Sequence, residues 1–168
     1  MNDALVYTEA AALGALTGIR STAGPAAVGE LSNAGLIAGE GSPLAWFNHE
    51  GVGKVLRLLV AGESIADKLP FIPARTEAGP LAARAIGGGL SGAAVCAAAK
   101  RPWWIGALIG AGAAVGASFA ATKLREYATK QHDVPDRVIG VIEDAVVAGA
   151  GYLVVSSIKS RNGALARS

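Results

Sequence analysis

The chain has 168 residues, of which 36 are alanine and 23 glycine. Only 17% are charged and 5% aromatic, and the mean hydropathy is +0.41. So apolar a composition excludes a disordered polar chain, and the glycines lack the three-residue period of collagen. The formal net charge of +2, with no dense basic tract interleaved with aromatics, excludes nucleic acid as a partner, and the single cysteine excludes an internal disulfide framework or a CxxC metal site.

The N-terminus, Met-Asn-Asp-Ala-Leu-Val-Tyr-Thr-Glu, has no basic n-region, so no cleaved signal peptide is expected. The first apolar stretch, Ala10 to Gly29, is interrupted only by Arg20. A polar loop follows at residues 40–51. The second stretch, Val52 to Lys68, is amphipathic, carrying Lys54, Arg57, Glu63 and Asp67, and is the weakest candidate to cross a bilayer. Residues 70–80 hold three prolines and read as a loop. Leu81 to Ala99 is interrupted only by Arg84, with Pro80 just before it, where a helix start tolerates proline. In this stretch Cys96 sits among alanines and reads as a buried, inert small side chain.

Pro102 to Thr122 is 21 residues without a charge, bounded by Lys100-Arg101 and Lys123. About 20 apolar residues cross the hydrocarbon core as a helix, and Trp103, Trp104 and Tyr127 suit its interfaces. Asp133-Val-Pro-Asp136 marks another helix start, with Pro135 ending what precedes and Asp136 able to cap. Val138 to Ile158 follows, interrupted only by Glu143 and Asp144 and closed by Lys159 and Arg161. Strand signals are nearly absent. The expectation is an all-α, polytopic transmembrane bundle of about five spans: one membrane-embedded domain over residues 1–159 and a polar tail over 160–168.

Small residues recur at four-residue spacing within these stretches: Gly14 and Gly18, Gly88 and Gly92, Gly106 and Gly110, Gly112 and Gly116. In lipid such spacing lets helix backbones approach closely, whereas in water each glycine weakens a helix by up to about 1 kcal/mol relative to alanine. These eight glycines are the expected helix-packing positions. Gly14-Ala-Leu-Thr-Gly-Ile also resembles Gly106-Ala-Leu-Ile-Gly-Ala, and Arg57-x5-Glu63 resembles Arg137-x5-Glu143. On a five-span count the partners run in opposite directions, as an inverted repeat requires.

Function rests on the charges inside these apolar regions. A charge at mid-bilayer costs at least about 2.5–3.5 kcal/mol, so it persists where it meets a partner, a cavity or the headgroups. Glu63 and Asp67 are four apart and share a helix face. Arg20 lies in Thr-Gly-Ile-Arg-Ser-Thr-Ala-Gly-Pro, a sequence able to break a helix and expose backbone groups to a ligand. The candidate ligand-binding set is therefore Arg20, Ser21, Glu63, Asp67, Arg84, Glu143 and Asp144. The competing reading of the same charges is salt bridges that only fix helix register, with Lys68 and Arg75 snorkelling to a boundary. His49 and His132 stand in no metal-ligand spacing, and no Walker loop or dinucleotide fingerprint is present. No catalytic residue, metal site or cofactor is assigned, and the reading leans away from an enzyme.

The segments Gly18-Ile-Arg-Ser, Gly62-Glu-Ser-Ile-Ala-Asp-Lys-Leu-Pro70, Pro73-Ala-Arg75, Gly79-Pro-Leu-Ala-Ala-Arg84 and Glu143-Asp144 together resemble a family of small bacterial membrane proteins, domain of unknown function 4126. The resemblance covers nearly the whole chain. It implies an integral membrane protein and supplies no activity. Three expectations remain. The first is a multi-pass protein of the cell inner membrane, in contact with lipid, that forms a homo-oligomer and moves or binds a small solute or ion. The second is an assembly subunit that packs through its glycine and alanine faces. The third is an enzyme acting on lipid headgroups through its acidic residues. Basic residues flank both ends of the spans, so the orientation stays open.

Overall fold

The computed structural model describes residues 3–37, 54, 77–132 and 135–165. Apart from Lys54, the second stretch, with Glu63, Asp67 and Lys68, and the loops at 40–51 and 70–76 with Arg75 lie outside the described residues. Five helices are present among the described residues, and no strand: α1 (Asp3–Ile19), α2 (Ala23–Asn33), α3 (Ala78–Ala98), α4 (Trp103–His132) and α5 (Asp136–Leu165).

The first apolar stretch is not one span. It breaks after Ile19, and α2 starts at Ala23 with Pro25 in its first turn. Proline has no N–H to bond the Ser21 carbonyl and its ring crowds that carbonyl, so a continuous helix is blocked while a fresh start is tolerated. Gly24 then lies against Leu13 and Thr17 of α1 and Ser91 of α3, which means the chain has turned back on itself. At 1.5 Å per residue, α1 is about 25 Å long and α2 about 16 Å, both short of the ~30 Å hydrocarbon core.

The other ends are equally local in origin. α2 and α3 both close in Schellman motifs. Leu36 N–H bonds Leu31 O and Gly35 N–H bonds Ser32 O, with Gly35 at φ +69°. In α3 the matching bonds run from Arg101 to Cys96 and from Lys100 to Ala97. Here Lys100 takes the left-handed position at φ +55°, one that usually falls to glycine, and Pro102 then prevents the helix from continuing. α3 starts at Ala78, with Pro80 inside its first turn and Leu81 N–H bonded to Glu77 O. Val138 N–H bonds Pro135 O at the start of α5. That helix continues to Leu165, through residues expected to form a polar tail.

α1, α3 and α4 meet along backbone. A Cβ on Gly14 would fall 2.7 Å from Gly110 Cα, one on Gly88 would fall 2.7 Å from both Gly110 O and Ala114 Cβ, and one on Gly106 would fall 2.6 Å from Cys96 Sγ. Gly18 faces Ala114, and Gly92 faces Gly106. None of these positions has room for a side chain. The stripe Gly106, Gly110, Ala114, Ser118 is the buried face of α4. Gly112 and Gly116 lie on its other side, where a Cβ would meet nothing within 4 Å. Ser118 Oγ lies 3.0 Å from Gly18 O, near the end of α1, and 2.8 Å from Ala114 O. Val6, Leu13, Val28, Leu31, Val95 and Ile158 are fully buried around this contact.

These contacts set the directions of the helices. Gly14 opposite Gly110 and Gly18 opposite Ala114 make α1 and α4 parallel, whereas Gly88 opposite Gly110 and Gly92 opposite Gly106 make α3 antiparallel to α4. The expected inverted repeat is therefore not realised in its first pair, since Gly14 and Gly106 lie on helices of the same direction. The second pair involves Arg57 and Glu63, outside the described residues.

Three helices are long and apolar enough to cross a membrane: Ala78–Ala98, Trp103–Lys130 and Arg137–Asn162. Half of the first apolar window is buried inside the molecule, 22% of the second and 6% of the third. Leu108, Val141, Ile142, Tyr152 and Leu153 point outward, more than half exposed. Apolar surface of this kind on helices of spanning length is what lipid covers. The protein is a membrane protein of helical architecture.

Candidate functional site

The break between α1 and α2 places Arg20 at the end of α1. Its Leu16 carbonyl still accepts the Arg20 N–H at 2.9 Å, and the Arg20 carbonyl accepts from Ala23, so the backbone reverses within three residues. The Arg20 side chain is 10% exposed, and its Nη2 lies 2.6 Å from Oδ1 of Asp144 on α5, a carboxylate that is 50% exposed. Two residues 124 apart in sequence, both singled out by their charge in an apolar setting, thus come together. Glu143 points elsewhere: it is 12% exposed and lies 3.6 Å from Arg125 on α4. Adjacent acids on α5 therefore tie that helix to two different neighbours.

Arg20 and Asp144 line a cleft of about 800 Å³ between α5 and the α1–α2 reversal. Thr22, Glu30, Tyr152, Ser156 and Lys159 add polar groups to its wall, and alanine, valine, leucine and one glycine supply the rest. A mainly apolar cleft with a few convergent polar groups is the usual form of a small-molecule site. Cation and anion stand side by side in it, so a solute could replace either partner of the ion pair. Ser21 is at the break itself, while Arg84 is buried on α3 at 5% exposure and is not among the described residues lining the cleft. Glu63 and Asp67 lie outside the described residues. Among the described residues no three His, Cys, Asp or Glu side chains gather as a metal-ligand set.

A second polar cluster was not anticipated. Glu9 on α1 is 4% exposed, accepts from Arg161 Nη1 at 2.6 Å and from Ser157 Oγ at 2.9 Å, and so joins α1 to the far end of α5. A signal for it exists in the sequence. Val6, Leu13 and Leu16 share a helix face with Glu9 by three- and four-residue spacing, and that face is buried. Arg101, at the end of α3, pairs with Asp3 at the same end of the bundle.

The family model described as "Domain of unknown function (DUF4126)" matches residues 8–157. No curated protein and no solved structure matches the chain. The matched region runs from the first turns of α1 to the last turns of α5, so it takes in the helix reversal, the cleft apart from Lys159, and both ends of the Arg20–Asp144 pair. On that coverage, the chain belongs to the DUF4126 family of uncharacterised domains.

Proposed function

We propose that the protein is a multi-pass protein of the cell inner membrane that binds a small charged or zwitterionic solute, or an ion, in the cleft at the helix break and passes it across the bilayer. The observation that carries this reading is the Arg20–Asp144 pair: a nearly buried guanidinium and a half-exposed carboxylate on the wall of an 800 Å³ cleft. The guanidinium is nearly buried while the carboxylate keeps half of its surface open at the cleft, where a solute can reach it. Breaks in membrane helices are tolerated where they line a cavity, and Arg20 stands at such a break. Few helices enclose little volume, so several copies of the chain form the pathway. Neutralising Arg20 or Asp144 in proteoliposomes tests this, with potassium chloride and glycine as probes. Flux of a probe through the wild type should fall at least about tenfold in Arg20→Gln and in Asp144→Asn while the variants still insert and assemble. Undiminished flux in both variants contradicts it.

The open stripe of Gly112 and Gly116 favours a second reading, an assembly subunit in which another helix lies against that face of α4. Replacing both glycines by leucine would then change the oligomeric state and leave the fold of the protomer intact.

A further inference from the structure

Far from the cleft's helix break, a buried arginine uses only part of its hydrogen-bonding capacity. Arg161 lies about one turn before the end of α5, and its side chain is 9% exposed. Nη1 donates to Glu9 Oε2, and Ser157 Oγ donates to Glu9 Oε1, so both carboxylate oxygens are engaged. The Nε and Nη2 atoms of the same guanidinium are buried and have no hydrogen-bond partner among the described residues. These two atoms form one edge of the planar group. Their N–H bonds point the same way, at the spacing of two oxygens of an oxyanion. Native proteins seldom leave buried donors unmet, and a whole unmet edge calls for an acceptor of matching shape.

We propose that the Nε–Nη2 edge of Arg161 binds a phosphate group. Position selects phosphate. The apolar run of α5 closes at Ile158 and the exposed Lys159 follows it, which sets Arg161 at the boundary of the hydrocarbon region, where headgroup phosphates lie. Arg101 ends α3 on the same side of the bundle. It pairs with Asp3 and likewise has a buried Nε without a partner among the described residues. Both ion pairs are neutral as they stand, so an added anion meets spare donors and no net negative charge. The phosphate belongs to a phospholipid headgroup or to free inorganic phosphate. The site does not depend on the transport reading, because Glu9 and Arg161 are not among the cleft residues.

Thermal unfolding of the full-length protein in maltoside detergent tests the site. The additions are phosphatidylglycerol, a galactosyl diacylglycerol with the same acyl chains, or inorganic phosphate. Phosphatidylglycerol should raise the midpoint by about 5 °C more than the galactolipid at saturation. A shift with phosphatidylglycerol alone identifies the headgroup, and the same shift with inorganic phosphate identifies the free anion. Arg161→Lys keeps the charge but not the planar edge and should lose more than half of the shift, while Arg137→Lys at the other end of α5 should retain it. Should Arg161→Lys fail to fold, Glu9→Gln/Arg161→Gln takes its place, since it leaves no unpaired buried charge. No phosphate-dependent shift in the wild type overturns the proposal, and so does a full shift in the Arg161 variants.

Discussion

At the scale of single residues, this protein separates two kinds of glycine that its sequence does not distinguish. Gly110 is held between Gly14 and Gly88, whereas Gly116 faces open space at the same helical spacing. Overpacking a close contact costs about 1–3 kcal/mol, and here the neighbours are backbone atoms that cannot step aside as a flexible side chain would. Gly110→Leu should therefore destabilise the protein by at least that much, while Gly116→Leu should leave the stability of the protomer within about 0.5 kcal/mol. Unfolding midpoints in detergent measure both, and equal effects would contradict the packing described. The charges were more legible than the glycines. Arg20 stands out as the one charge in its apolar stretch and Asp144 as one of an adjacent acidic pair in another, and they meet. Glu9 and Arg161 were passed over because each sits just outside an apolar stretch, where a charge reads as a boundary marker. Only the helical spacing of Val6, Glu9 and Leu13 betrays the buried face.

At the scale of elements, α5 is the helix that owes least to apolar packing within the molecule. Its apolar window is 6% buried, and it is tied to α1 at one end by Arg20–Asp144 and at the other by Glu9–Arg161. Removing one partner of a buried pair leaves an uncompensated charge and typically costs about 3–5 kcal/mol, whereas removing both often costs far less. Glu9→Gln should thus destabilise by about 3 kcal/mol, and Glu9→Gln/Arg161→Gln should recover most of the loss. A double variant no more stable than the single one would show that the pair does not hold α5. Helix identity was largely legible here, since α3, α4 and α5 each contain one long apolar stretch. The division of the first stretch was harder to foresee. Gly18, Ser21, Thr22, Gly24 and Pro25 permit a break, but only the contact of Gly24 with Leu13 and Thr17 makes the returning helix pack.

At the scale of the whole molecule, a core of α1, α3 and α4 joined by glycine contacts carries an outer helix, and the charged cleft lies between that helix and the reversal at Arg20. The antiparallel run of α3, α4 and α5 predicts that reporters fused after residue 130 and at the C-terminus fall on opposite sides of the membrane. Both on one side would mean that α5 does not cross. The central claim is that the Arg20–Asp144 pair serves a solute and not only the fold. Arg20→Gln/Asp144→Asn tests it most directly, because removing both charges together leaves neither partner of this pair unmatched. Probe flux in proteoliposomes and the unfolding midpoint are measured on the same preparation. The account predicts an assembled protein whose midpoint stays within a few degrees of the wild type and whose flux is at least about tenfold lower. Wild-type flux in that variant would contradict it.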